Sequence, residues 1–383
     1  MRNERNLYNM SNIDNPFLIY GYEGPDYFCD REYETSEIIE ALQNGCNMTV
    51  MSPRRYGKTG LIHNAFYRMS ESNPDVCCFY MDVFATHSLQ DFVKLFGRTV
   101  IGKLDTPLQK AEGFVQRFFH SAQLTLGIDP LSNMPQIGLN FQPQQTESTL
   151  DEIFAYIAQS DRKCYIAIDE FQQVADYPEK NVEELLRTFV QRTHNVHFVF
   201  SGSRLHVMSA MFSSPRHPFY RSTERLHLDI LPENRYYEFA AGKLKNRGIS
   251  ISKDVFHHIY EITDGVTWYV QRILNVLYRR KYVNVDNLLV ENITRSIVLG
   301  EEEDYKQMVR LLTSGQMQLL DAIAKEVVVK EPTSNLFLRK YNLKAPSSVQ
   351  RSLKFLLEHE YIYQQDDGYI VYDRFMAMWL KNK

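Results

Sequence analysis

Short apolar runs alternate with amphipathic segments through the first 230 residues of the chain. "MTVMS" (48–52) reads as a buried strand, and behind it Leu61, Ile62, Ala65, Phe66 and Met69 recur at helical spacing. "VCCFYMDV" (76–83), "KCYIAIDEF" (163–171), "VHFVFSGS" (196–203) and "LHLDILP" (226–232) are further strands, the second ending in two acids. Helical patterns fill the intervals at 36–42, 89–103, 108–122, 148–159 and 181–193. Strands separated by helices of this length predict a parallel sheet covered on both faces. A Pro- and Gln-rich insertion at about 121–147 interrupts the alternation, and within it "MPQIGLNFQP" (134–143) reads as a small strand or hairpin.

Beyond 232 the strand signals stop. Helices are predicted at 234–246, 252–262 and 267–281, the last with an apolar stripe of Val270, Ile273, Leu274 and Leu277. Gly248 and Gly265 stand where helix C-caps belong. The acidic stretch "LGEEEDYK" (299–306) either marks a boundary or opens a helix. Helices at 315–327, 333–341 and 347–359 and two short strands around "DDG" (366–368) then follow, the order of a winged helix-turn-helix. The division this predicts is an α/β core over 1–230, a helical segment over 231–305 and a winged helix over 306–383.

Composition narrows the class. The 383 residues hold ordinary hydrophobic and charged fractions, enough for more than one globular core. A net charge of −4 argues against a chain coated in nucleic acid through bulk electrostatics. The five cysteines (29, 46, 77, 78 and 164) form no metal-ligand spacing, and Cys77 and Cys78 would point to opposite faces of a strand. The expectation is a reducing compartment. The N-terminal sequence has no apolar core of signal-peptide length, and nowhere do about 18 apolar residues run together. Cytoplasmic location and no membrane partner are therefore expected.

The chemistry concentrates in two motifs. "SPRRYGKTG" (52–60) puts Gly57-Lys58-Thr59 between a buried strand and an amphipathic helix, where backbone N–H groups converge on an anion. Ser52, Pro53, Arg54, Arg55, Tyr56, Gly57, Lys58, Thr59 and Gly60 are the candidate phosphate-loop residues. Lys58 is expected to reach the β- and γ-phosphates and the Thr59 hydroxyl to bind Mg²⁺. Ser52 replaces the loop's first glycine, a place that asks for backbone geometry rather than chemistry, so the site is read as working in variant form. "YIAIDEF" supplies the second motif: Asp169 as the further metal ligand, from a strand taken to adjoin the first, and Glu170 as the base that polarises water. After the fourth strand Ser201 or Ser203 is a candidate γ-phosphate sensor, with a helix N-cap as the other role for Ser203. "SGSRL" is not a Gly-x-Ser-x-Gly elbow, so a serine hydrolase is not supported.

With these residues in place the chain resembles the archaeal-type ATPase family, P-loop proteins close to the AAA+ and STAND ATPases. "FCDREYE" (28–34) looks like the family box near the adenine, with Asp30 in place of its glycine; Arg31 and Glu32 are its base-proximal candidates. "SPRRYGKTGLI", "AIDEFQQV" and the closing "YIVYDRFMAMWL" are similar to the family's loop, acidic strand and last wing elements. "SSPRHPFYRSTERLHLDIL" resembles a stretch whose usual core is Pro-Leu-Tyr-Gly-Arg, which makes Arg221 a candidate trans-acting finger. "TDGVTWYVQRI" (263–273) resembles a lid motif Gly-x-Pro, matched by Gly265, with Thr267 at the proline position and Arg272 a further sensor candidate. Arg54 and Arg55 are assigned to the loop structure or the base, without a catalytic role. The resemblance implies a P-loop NTPase core of AAA+/STAND type, an α-helical lid and a C-terminal winged helix, binding ATP with Mg²⁺. The choice of ATP over GTP rests on the resemblance.

In helix 347–359 the expected buried stripe is Val349, Leu353, Leu356 and Leu357, leaving Gln350, Arg351 and Lys354 outward as a major-groove face would need. From Ser314 to Lys383 there are ten basic and eight acidic residues, so the same face also reads as solvated surface. Three functions compete: an ATP-hydrolysing switch with a winged helix on double-stranded DNA, a nucleotide-binding module that docks a protein with little turnover, and a small-molecule kinase. The first implies slow turnover and a nucleotide-dependent homo-oligomer if Arg221 acts in trans.

Overall fold

The computed structural model describes residues 14–101, 104, 119–128, 135–365 and 368–383. Most of the helix expected at 108–122, and the wing residues Asp366 and Asp367, lie outside them. The chain divides into two units, the first running through Phe239 and including Val266–Trp268, the second comprising Ala240–Gly265 and Tyr269–Lys383.

In the first unit the strands are β1 (Met48–Met51), β2 (Cys77–Asp82), β3 (Gln123–Ile128), β4 (Pro135–Asn140), β5 (Cys164–Asp169), β6 (Val196–Gly202) and β7 (Glu224–His227). Five of them form one parallel sheet in the order β2-β5-β6-β1-β7, while β3 and β4 make a separate antiparallel hairpin in the insertion. Every residue of β1 and β5 is buried, as strands covered on both faces must be, whereas the edge strand β2 alternates. The helices are α1 (Glu32–Gln43), α2 (Lys58–Ser72), α3 (Leu89–Val100), α4 (Thr146–Ala158), α5 (Val182–Arg192) and α6 (Leu205–Ser213). Asn47 fixes the register around β1: its side chain accepts from Phe198 N–H and its carbonyl from Glu224 N–H, both at 2.8 Å.

One expectation needs correction. The strands that precede Lys58 and end in Asp169 are not neighbours, because β6 lies between β1 and β5. Two strand spacings amount to about 10 Å, so the start of α2, rather than β1 itself, must bridge to the acids. The sequence pattern also missed α6 and started α1 four residues late.

Asp169 and Glu170 sit on a rigid base. Phe171, fully buried, meets the rings of Phe200 and Phe219 at centroid distances of 4.6 and 5.3 Å, which pins the chain as it leaves β5.

The next helices are α7 (Glu233–Lys245), α8 (Lys253–Ile262), α9 (Thr267–Arg280), α10 (Asn287–Gly300) and α11 (Glu302–Arg310). Gly248 follows α7 as a left-handed C-terminal residue, whereas after α8 that place is taken by Asp264 at φ +50°, with Gly265 one residue beyond the expected cap. The acidic stretch opens α11, with Glu302, Glu303 and Asp304 in its first turn. α12 (Ser314–Glu326), α13 (Asn335–Lys340), α14 (Pro346–Glu358), the hairpin β8 (Ile362–Gln365)–β9 (Gly368–Val371) and α15 (Arg374–Lys381) complete the winged-helix order. Val349, Leu353 and Leu356 are buried in α14, and Leu357 is only half-buried. No helix among the described residues is long and apolar enough to cross a membrane.

Candidate functional site

The loop from Ser52 to Gly57 closes on itself. Lys58 is 6 % exposed, and its Nζ donates to the carbonyls of Ser52 and Pro53 at 2.9 and 3.1 Å. Ser52 keeps an ordinary negative φ, so the residue in place of the first glycine carries no backbone strain; Gly57 has φ +97° and does need to be glycine. α2 is 15 residues long and has no acid of its own in its first turn, so no side chain of the helix offsets the positive end of its dipole at Lys58 and Thr59. Gly60, in the same turn, leaves room for the Phe28 ring, which an added Cβ would approach to 3.3 Å.

Across β6 from this turn stands Asp169, 3 % exposed. Its Oδ2 accepts from Thr59 Oγ1 at 2.8 Å and from Tyr80 OH at 2.7 Å; its Oδ1 accepts from Ser201 Oγ at 2.5 Å and from Glu170 N–H at 3.0 Å. Burial alone would raise this carboxyl, but the hydrogen bonds from Ser201 and Tyr80, the Lys58 charge and the Thr59 hydroxyl outweigh it and hold Asp169 below the usual carboxylate range. Burial and the adjacent Asp169 push the Tyr80 phenol far up, so it stays a donor. Glu170 turns into the left-handed region at φ +55°, and its Oε2 accepts from Ser203 Oγ at 2.8 Å and from Gln172 Nε2.

The serine pair is thereby divided. Ser201 meets Asp169 and Ser203 meets Glu170. The N-cap role for Ser203 is overturned, since Arg204 is the residue that precedes α6 and Ser203 caps no helix. Arg54 Nε donates to Ser203 Oγ at 3.3 Å and its guanidinium lies 5.4 Å from the Phe84 ring centroid. Arg55 stacks on Trp268 at 4.4 Å, Trp268 N–H donates to the Arg55 carbonyl at 3.1 Å, and Thr267 Oγ1 donates to the Tyr56 carbonyl at 3.4 Å.

Other expected residues have different partners. Arg31, 5 % exposed, pairs with Glu34 at 2.8 Å and donates to the carbonyls of Tyr56 and Asp229. It thus ties the backbone of the loop, at Tyr56, to that of Asp229 beyond β7. Glu32 is paired with Arg68 at 2.5 Å. Asp30, at the family's glycine position, has φ +54°, which explains the preference there for glycine. Arg221 is exposed beside Tyr220 and makes no hydrogen bond to the Asp169 cluster among the described residues. Gly265 lies in the second unit, its N–H donating to the Tyr260 carbonyl at 2.8 Å, and Arg272 lies in α9 of the same unit. Gln350, Arg351 and Lys354 are exposed on α14, with Lys354 3.7 Å from Glu358.

Sequence reasoning passed over Tyr80, Gln172 and Trp268. Tyr80 was within reach, since it shares a strand face with Asp82 at the end of "VCCFYMD". Gln172 gave no periodic signal, because a 3₁₀ turn over Phe171–Asp176 folds it back to the strand end.

Residues 28–273 match the model of an ATPase domain predominantly from Archaea. The chain belongs to this archaeal-type ATPase family. Residues 303–382 match the model of a probable winged helix domain. A Walker-type ATPase of Pyrococcus abyssi superposes with a TM-score of 0.64 at 17 % identity, covering 96 % of this chain and 99 % of that one. The Aeropyrum pernix ORC2 protein, in ADPNP–ADP complexes, superposes at 0.60 with 14 % identity and coverage of 96 % and 95 %. An uncharacterised HTH-type transcriptional regulator of Methanocaldococcus jannaschii is 20 % identical over 94 % of this chain and 89 % of its own length. The archaeal-type ATPase fold and its winged helix therefore stand as the motifs implied.

Proposed function

We propose that the chain binds ATP with Mg²⁺ at the loop ending in Gly57, hydrolyses it slowly, and uses the nucleotide state as a switch acting on the winged helix. The observation that carries this reading is the Thr59–Asp169 hydrogen bond at 2.8 Å beside the Lys58 ammonium. A hydroxyl and an ionised carboxylate are the hard oxygen donors that suit Mg²⁺, and an acid-free helix start suits phosphate. Thr59 and Asp169 would hold the metal, which when bound supplies positive charge to the phosphate oxygens. Lys58 and the N–H groups of the loop hold the phosphates. Glu170 orients a water and takes its proton as the water oxygen bonds to the terminal phosphorus and the bond to ADP breaks. Ser201 keeps Asp169 in place. Arg221 is assigned to a neighbouring copy's site in a nucleotide-dependent homo-oligomer, and Gly265 to the lid. Five free thiols are consistent with a reducing, cytoplasmic setting.

Lys58→Ala abolishes ATP binding on this reading, whereas Glu170→Gln keeps binding and stops phosphate release. Unchanged hydrolysis in either variant, measured as phosphate release in Mg²⁺, refutes it.

Double-stranded DNA is the target proposed for the winged helix, through Gln350, Arg351 and Lys354. The Aeropyrum pernix ORC1 protein, whose structure is in complex with DNA, superposes with a TM-score of 0.55 at 12 % identity, covering 96 % of this chain and 95 % of that one, and adds weight to this choice. A specific observation favours docking of a protein instead: Lys340 and Lys354 are already paired with Glu326 and Glu358. A nucleotide-binding module with little turnover is the form that alternative takes.

A further inference from the structure

Each residue of Ser201-Gly202-Ser203 serves the acidic pair at the end of β5, and Gly202 does so through what it lacks. A Cβ on Gly202 would lie 2.0 Å from Gln172 Oε1 and 2.7 Å from Met208 Sδ. Only glycine lets the Gln172 amide lie against the end of β6. Gln172 is 2 % exposed and its Nε2 donates to Glu170 Oε2. Its Oε1 is buried with no hydrogen-bond partner, a standing cost that an apolar side chain of the same size would avoid. Ser203, 3 % exposed, donates to the same Glu170 oxygen at 2.8 Å and accepts from Arg54 of the phosphate loop at 3.3 Å. Glu170 Oε1 receives no protein donor among the described residues. One oxygen of the carboxylate is anchored twice and the other is left open.

We infer that Gln172 and Ser203 are positioning residues for Glu170: they fix Oε2 so that Oε1 faces the attacking water, and Arg54 ties this anchor to the phosphate loop. The inference rests on the reading of Glu170 as the base. A base that must accept a proton in one direction gains from losing its rotamer freedom beforehand. The buried, half-satisfied amide of Gln172 is the kind of stability cost that is retained where function requires the donor.

The test uses the full chain with ATP and Mg²⁺. Gln172→Leu keeps the volume and removes the donor; Ser203→Ala removes the hydroxyl, and Ser203→Thr retains it. Gln172→Leu and Ser203→Ala should each lower kcat by roughly tenfold to a hundredfold, less than Glu170→Gln. The affinity for ATP should stay within about twofold of wild type. Ser203→Thr should recover most of the loss. Urea unfolding should find Gln172→Leu at least as stable as wild type, because the unpaired Oε1 is gone. If Gln172→Leu turns over like wild type while Glu170→Gln is inactive, the inference is wrong and the base assignment survives. If Gln172→Leu loses affinity and stability together with kcat, Gln172 is structural and the inference is again wrong. If Glu170→Gln turns over like wild type, or the wild type does not turn over at all, the reading of the base fails and takes the inference with it.

Discussion

The hydroxyl of Thr59 stands 2.8 Å from the carboxylate of Asp169, across 110 residues of sequence and one intervening strand. Ser201, from that intervening strand, meets the other carboxylate oxygen at 2.5 Å. The acid is thus held from both sides. On the reading proposed above, a metal held by both oxygens would need the Thr59 proton to turn away from the carboxylate, while Ser201 keeps the acid in place. Thr59→Val keeps the shape and removes the hydroxyl. It should weaken ATP binding in Mg²⁺ by about tenfold or more, roughly 1.4 kcal/mol, and leave binding in EDTA unchanged. Titration calorimetry under the two conditions checks this.

Tyr80 shares the Asp169 oxygen with Thr59. Tyr80→Phe leaves a buried carboxylate short of one donor, which should cost about 1–3 kcal/mol of stability. Denaturant unfolding monitored on the first unit measures the loss. The same variant should need more Mg²⁺ to reach half-maximal nucleotide binding, while binding in EDTA stays level.

Much of this was legible in the sequence, for a physical reason. Central strands of a parallel sheet are buried on both faces, so "MTVM" and "CYIAID" announce themselves as apolar runs, and the acids that end one of them stand out. The order of those strands was not legible. The position of β6 between β1 and β5 depends on crossovers whose spatial course leaves no trace in local pattern, and the adjacency expected for Lys58 and Asp169 was therefore wrong. The roles of Arg31 and Ser203 were hidden for a related reason. Both side chains find partners far away in sequence, the Asp229 carbonyl and the Glu170 carboxylate, that no periodicity encodes. Asp30 shows the opposite case, where a family glycine pointed to a positive φ that the structure has at that residue.

Two thiols report on burial around the site. Burial, aided by Asp30, pushes Cys29 up to about 12, and burial pushes Cys78 up to about 12. A thiol reacts as its thiolate, so at pH 8 only about one in ten thousand of either is reactive. Cys46 is less buried than Cys29, although a hydrogen bond with Glu224 raises it as well. Iodoacetamide at pH 8 should therefore modify Cys46 well before Cys29 and Cys78. Rates for the protected pair should climb about tenfold per pH unit up to about pH 12. Peptide mass spectrometry over a pH series follows each site.

The winged helix calls for a salt series. If α14 enters a major groove, the logarithm of the DNA affinity falls linearly with the logarithm of salt. Arg351→Ala combined with Lys354→Ala should then weaken binding and flatten that slope by about one to two units. Absence of duplex binding with and without ATP would leave protein docking as the role of the domain.

The central claim is that Lys58, Thr59, Asp169 and Glu170 face one triphosphate–metal pocket. Its most direct test is a crystal structure with a non-hydrolysable ATP analogue and Mn²⁺, read from the anomalous signal of the metal. The account predicts a peak between Thr59 Oγ1 and the Asp169 carboxylate, with the phosphates at the start of α2. A nucleotide bound elsewhere, or a metal away from both side chains, would contradict it.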